Sequence, residues 1–296
     1  MIDGLAVVDK PAGMTSHDVV SRCRRIFGQK KVGHAGTLDP DATGVLLIGL
    51  GRATRLMQYM AGLPKSYTTT IVLGRATTTL DSSGEVTGRW DMSAVTLEDA
   101  RRAAADLTGP IRQVPPMVSA VKIGGRRLHE LARQGIEVER PAREVTVYRF
   151  SLEPGPGDRQ TDPVLHAEID CSSGTYIRVL ADDLGRMLGG GAHVRDLRRT
   201  AVGPWRVEEA VPLDRLEPDR VLAPADALPW MEPVTVGTGM EAAVRHGRVV
   251  DRAELGPSGA GPWRVLGPAG DLLAVYEEHR GDSVKPRVVL GAEGGP

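Results

Sequence analysis

Apolar residues in this chain come in short blocks, and each block carries its own period. Leu5-Ala6-Val7-Val8 ends in Lys10-Pro11, the pattern of a short strand running into a loop. After Thr15-Ser16, either of which can cap, Val19, Val20, Cys23 and Ile26-Phe27 recur at helical spacing and predict a helix through Ile26. Val45-Leu46-Leu47-Ile48, bounded by glycines, predicts a buried strand. Gly51-Arg52-Ala53-Thr54 leads to a second helix with Leu56, Met57 and Tyr59-Met60, and Thr96 opens a third over Leu97–Ala105 that stops near Gly109-Pro110. Strand-like runs occupy Tyr67–Leu73, Glu144–Leu152, Val164–Asp170 and Tyr176–Leu180. Trp263–Leu266 and Leu272–Tyr276, joined by the turn Gly267–Asp271, read as a hairpin, with Val288–Leu290 as a closing strand. Strands outnumber helices without a βαβ alternation, so the fold class expected is α+β.

Length and composition narrow this only a little. At 296 residues, 41% hydrophobic and 25% charged, the chain can fill one large or two ordinary globular domains. Near Ala223–Pro229 the composition shifts and proline becomes frequent, which divides the chain into residues 1–228 and 229–296. Cys23 and Cys171 lie too far apart for a disulfide framework or a metal cluster and fit small core residues in a reducing compartment. With no leader pattern at Met1-Ile2-Asp3 and no apolar run of membrane length, a cytoplasmic location is expected. The last residues, Gly291–Pro296, are expected to fray.

Net charge is −1, but it is unevenly placed. Residues 10–65 hold nine Lys/Arg against three Asp, and residues 112–149 hold eight against four Glu. Residues 206–296 reverse this, with ten basic against fifteen acidic. A basic N-terminal part permits phosphate contacts, although solvated helix faces give the same counts.

Candidate chemistry concentrates in Gly33-His34-Ala35-Gly36-Thr37-Leu38-Asp39-Pro40-Asp41-Ala42-Thr43-Gly44. Here Asp39 sits at the crown of a glycine-bracketed loop that opens onto the Val45–Ile48 run. A carboxylate held in such a turn suits nucleophilic or general-base work, and it equally suits turn initiation before a proline.

Read with other segments, this loop resembles the bacterial tRNA pseudouridine synthases of the TruB type, which isomerise uridine 55 in the T loop. The resembling segments are Leu5–Ser16, Lys65-Ser66-Tyr67 with Ile71–Gly74, Pro115–Lys122 with Gly125–Leu128, Cys171–Arg178 and Gly191–Thr200. They stand in the family's order over roughly residues 3 to 205. The resemblance implies a large bent, mostly antiparallel sheet with flanking helices, and a small β-rich PUA-like domain at 229–296. It implies a thumb-like T-arm-binding segment at about 115–140. It makes Asp39 the catalytic carboxylate, by attack or through a glycal, with Arg178 as its partner. Tyr67 stacks on the flipped uracil and can help remove the C5 proton, Tyr176 and Leu197 line the base pocket, and His34 inserts among T-loop bases. Lys10 and Pro11 support the catalytic loop, though a lysine there could also face phosphate. A cationic neighbour is expected to hold the Asp39 pKa down. The implied enzyme is a monomer with tRNA as partner and no cofactor or metal; no glycine-rich phosphate loop or His/Cys cluster argues otherwise.

Two positions depart from the family. Thr77-Thr78-Thr79-Leu80-Asp81 lacks the usual acidic residue between threonines, and His129 stands where tyrosine is usual. Two other classes fit parts of the chain: a pure RNA-binding protein, and a hydrolase or transferase built on Asp39. The family's guide-RNA-dependent branch fits less well, because no lysine-rich tail is present.

Overall fold

The computed structural model describes residues 1–119, 122–123, 125–127, 134, 136, 138–155 and 163–290. Its centre is a ten-stranded mixed sheet. Across it run Val211–Pro212, Gly4–Lys10, Thr43–Leu50, Ala192–Val202, Lys65–Leu73, Val164–Cys171, Arg143–Pro154 and Gly109–Gln113. Val32–Ala35 adds to Thr43–Leu50, and Trp205–Arg206 to Ala192–Val202. Most neighbours are antiparallel; Gly4–Lys10 with Val211–Pro212, and Thr43–Leu50 with Ala192–Val202, are parallel.

Local chemistry explains the helices. Thr15 caps Ser16–Ile26 through a capping box with Asp18, and Thr96 caps Leu97–Asp106 through one with Asp99. The segment after Gly51 starts as a 3-10 turn, Gly51–Leu56, and becomes helical only over Met57–Ala61. Tyr176–Leu180 is a correction: Ile177–Met187 is a helix, not a strand. The β-branched start reads as a strand, but Ile177, Leu180, Ala181 and Leu184 keep a helical period and all face the core. Leu97–Asp106 and Ile177–Met187 pack on one part of the sheet, and Ser16–Ile26 on another.

A second, five-stranded sheet runs Glu232–Thr235, Trp263–Leu266, Leu272–Glu278, Ser283–Val289 and Val250–Asp251, with the expected hairpin at its centre. An apolar cluster holding Leu5, Val7, Leu47, Leu228, Met231, Val275 and Leu290 joins it to the first sheet. Arg52 and Arg55 donate to the Leu290 and Val289 carbonyls across that junction at 2.6 and 2.7 Å. Part of the basic count in residues 10–65 therefore ties the two sheets together, although Arg52 and Arg55 stay exposed. Ala120, Val121, Leu128, His129 and Gly291–Pro296 lie outside the described residues.

Candidate active site

The Asp39 loop is short of internal hydrogen bonds, so its shape depends on outside donors. It has them at Gly36, Thr37, Leu38 and Pro40, while Asp39 O is held by a turn within the loop. Arg199, 1% exposed, donates through Nη2 to Gly36 O (3.0 Å), through Nη1 to Thr37 O (3.4 Å) and through Nε to Val45 O (2.7 Å). Ser16 Oγ accepts from Leu38 N (2.9 Å) and donates to Leu38 O (3.2 Å). Ala42 N closes a turn on Asp39 O (3.2 Å), and Gly13 N reaches Pro40 O (3.0 Å). Lys10, with no exposed surface, donates to Pro11 O (2.9 Å), Met14 O (2.5 Å) and Pro40 O (2.8 Å). Burial pushes the Lys10 ammonium down to about 8. This is the supporting role expected of Lys10.

Arg199 can reach the loop because Thr43–Leu50 and Ala192–Val202 run side by side, Arg198 opposite Thr43 and Arg199 opposite Gly44. Gly44 has φ +101°, and a Cβ there would lie 2.1 Å from the Arg199 carbonyl oxygen. Only glycine permits that approach.

Above the loop stands Arg178, on the first turn of Ile177–Met187. Its Nε is 3.0 Å from Asp39 Oδ2, Nη1 donates to Thr79 O (2.8 Å) and Nη2 to Val118 O (2.9 Å). A second carboxylate, Asp81, lies 3.6 Å from Nη1. Asp81 is itself fixed by Thr79 Oγ1 and Ser83 Oγ, each 2.6 Å from its Oδ1. Thr78 has a separate task, accepting from Glu85 N at 3.1 Å within the adjoining hairpin.

Burial raises the Asp39 carboxyl above its ordinary value; Arg178 pulls it back, Asp81 pushes it further up, and Lys10 pulls it down. Arg178 does oppose the rise, as the sequence suggested, but the net direction is upward because desolvation is larger.

A cleft of about 330 Å³ opens over this group. Asp39, Tyr67, Tyr176, Arg178 and Leu197 all line it, so five of the six sequence candidates converge. Tyr67 is nearly buried, and its hydroxyl is pushed up by burial. Gln113 grips the Tyr176 backbone, donating to its O (3.3 Å) and accepting from its N (2.9 Å). Lys65 closes one wall, its ammonium on Ala61 O (3.1 Å) and Leu63 O (2.8 Å) and lowered by burial to about 8.

His34 does not line the cleft. It sits in Val32–Ala35 opposite Ile48, half-buried, and its Nδ1 is without a hydrogen-bond partner among the described residues. Burial, then Arg199 and His17, lower its pKa and favour the neutral ring. Arg199, Asp81, Ser16 and Gln113 escaped the sequence reading. Arg199 lies inside the motif Gly191–Thr200, and its one local signal is an arginine in a strand otherwise facing the core at Ala201 and Val202.

Among the described residues, no group of three or more His, Cys, Asp or Glu is placed to hold a metal ion, and no helix is long and apolar enough to cross a membrane.

Comparison with known proteins gives one answer. Residues 24–177 match the TruB family pseudouridylate synthase N-terminal domain, and residues 178–228 match the tRNA pseudouridylate synthase B C-terminal domain. A tRNA pseudouridine synthase B from Thermobifida fusca (strain YX) is 47% identical, covering 98% of this chain and 99% of its own. Another from Symbiobacterium thermophilum is 50% identical over 83% of this chain and 82% of its own. Among solved structures, a Cbf5-Nop10-Gar1 complex contains a chain that aligns with TM-score 0.73 and 26% identity, covering 97% of this chain and 84% of that one.

Proposed function

The chain belongs to the TruB family of pseudouridylate synthases, makes pseudouridine 55 in tRNA, and does so, we propose, with Asp39 as the carboxylate at the sugar–base junction. The observation that carries this assignment is the 3.0 Å pair between Arg178 and Asp39 on the floor of the cleft that Tyr67 and Tyr176 line. The reaction breaks the N1 glycosidic bond, turns the uracil and rejoins it through C5. Attack at C1′ and removal of the C2′ proton both need an ionised carboxylate held still beside the sugar, and a loop with each carbonyl from Gly36 to Pro40 hydrogen-bonded supplies one.

The uridine must leave the T-loop stack, at a cost of a few kcal/mol. Stacking on an aromatic face returns about 1–3 kcal/mol per base, and Tyr67 offers that face, with Tyr176 and Leu197 bounding the pocket. His34, outside the cleft with a half-buried, neutral ring, suits a contact to neighbouring T-loop bases. Residues 1–228 form the catalytic domain, 115–140 its T-arm-binding thumb and 229–296 a PUA-like domain. The enzyme works as a monomer in the cytoplasm.

Tritium release from tRNA labelled with [5-³H]uridine, with the modified position mapped, tests this. Wild type should release tritium at position 55, and Asp39→Asn should bind tRNA without turnover. Appreciable turnover by the folded variant would remove Asp39 from the chemistry.

A further inference from the structure

Among the described residues, two that are not glycine have a left-handed backbone, Leu80 at φ +61° and Asp196 at φ +56°. An L side chain resists that region, and such outliers persist only where their surroundings hold them. Both lie beside Val194. Its N donates to Leu80 O (3.1 Å), its O accepts from Ser82 N (3.0 Å), and Asp196 follows two residues on. The Leu80 turn carries Asp81 to within 3.6 Å of Arg178. Asp196 acts on the strand that holds it.

Ala192–Val202 runs antiparallel to Lys65–Leu73, with Val194 opposite Ile71 and Arg195 opposite Thr70. The next pair is Arg198 with Thr68, so three steps on one strand answer two on the other. This is a β-bulge with one extra residue, and Asp196 holds a left-handed position of the kind that glycine fills in such bulges. The bulge changes which residues face inward. Before it, Ala192 and Val194 belong to the core cluster with Ile71 and Leu73. After it, Leu197 packs on that cluster and lines the cleft, and Arg199 lies buried against the Asp39 loop. Without the extra residue the alternation would continue. Asp196 and Arg198 would then face inward, and Leu197 and Arg199 outward. Thr69 Oγ1 pins the bulge by donating to Arg195 O at 2.9 Å.

We propose that Asp196 is a positioning residue for pseudouridine formation: its left-handed backbone supplies the extra residue that turns Leu197 into the base pocket and Arg199 beneath the catalytic loop. This rests on the function assigned above. The Asp196 side chain pairs with Arg195 at 3.2 Å, both groups exposed. What the site draws from position 196 is therefore a backbone conformation and not a carboxylate. Aspartate and asparagine tolerate that conformation because a short polar side chain can bond locally, whereas a β-branched residue does not.

The competing role is purely structural: the strain at position 196 affects stability and nothing in the cleft. Asp196→Gly, Asp196→Asn and Asp196→Val separate the two, compared by single-turnover tritium release from [5-³H]uridine tRNA, by tRNA binding and by urea unfolding. The glycine and asparagine variants should stay within about threefold of the wild-type rate, since both accept a left-handed backbone. Asp196→Val should slow turnover by about 10²-fold, the loss expected from displacing site groups by about 1 Å. Its Kd for tRNA should change by less than about threefold, because phosphate contacts supply most of the affinity. A folded Asp196→Val that unfolds at lower urea yet turns over at the wild-type rate overturns the proposal. Glycine and asparagine variants as slow as the valine variant also overturn it, because the carboxylate would then be the working group. If Asp196→Val does not fold, Asp196→Ala serves instead, with a slowing of about tenfold expected and an unchanged rate overturning the proposal. Absence of any pseudouridine from wild type would instead sink the function itself.

Discussion

Replacing Lys10 by methionine probes the support of the catalytic loop and has a sign that intuition reverses. The side chain is fully buried with its ammonium on three carbonyls, one of them Pro40 O beside Asp39. Orphaning three part-buried acceptors costs up to roughly 1–3 kcal/mol each. Against this stands the cost of burying the charge. The folded pKa of about 8 against an ordinary 10.5 corresponds to roughly 3 kcal/mol. The expected net loss at pH 7 is therefore about 0–6 kcal/mol. Because the folded value is depressed, the unfolded chain binds more protons between about pH 8 and 10.5, and wild type gains stability through that window. Methionine does not titrate, so the gap between wild type and Lys10→Met should widen by about 2–3 kcal/mol from pH 7 to pH 10. Lys65 carries a similar shift but is present in both proteins and cancels. Urea unfolding of the two proteins at both pH values measures the gap. A constant or narrowing gap would refute the reasoning, since Lys10 would not then be a desolvated ammonium. In the same variant kcat should fall by about 10²-fold with KM changed far less, because the Asp39 loop loses an anchor while the pocket walls remain.

Three further outcomes are expected. Tyr67→Phe should bind tRNA normally and turn over slowly; an unchanged tritium-release rate would reduce Tyr67 to packing. The acid limb of kcat/KM should lie above the ordinary aspartate range, since burial raises Asp39 and only its ionised form reacts. Arg178→Met should move that limb to still higher pH; a limb that moves down would reverse the roles given to burial and to Arg178. Gly44→Ala should destabilise by roughly 3 kcal/mol or more, from backbone strain at φ +101° and the clash with the Arg199 carbonyl, read as a lowered urea midpoint.

Where a signal is local, the sequence carried it. Thr15 with Asp18 and Thr96 with Asp99 started their helices where expected, because a capping box is complete within four residues. The Asp39 loop was legible for the same reason: three glycines, a proline and an aspartate specify a turn by their own backbone preferences. Tyr176–Leu180 failed because β-branched residues and a helical apolar period compete within five residues, and packing on the sheet decided for the helix.

Taken alone, the sequence determined the α+β class and the hairpin near the C-terminus, and its resemblance to the family pointed to Asp39, Tyr67, Tyr176, Arg178 and Leu197, which line one cleft. Tertiary structure alone decided that Arg199, Ser16 and Lys10 converge on one loop from three separate segments, and that Asp81 shares Arg178 with Asp39. It also placed His34 outside the cleft and made burial, not Arg178, the larger influence on the Asp39 carboxyl. The physical reason is distance along the chain. Turn and cap preferences act within a few residues, whereas the field at a carboxylate and the donors for a loop's carbonyls come from groups that only the folded sheet brings together.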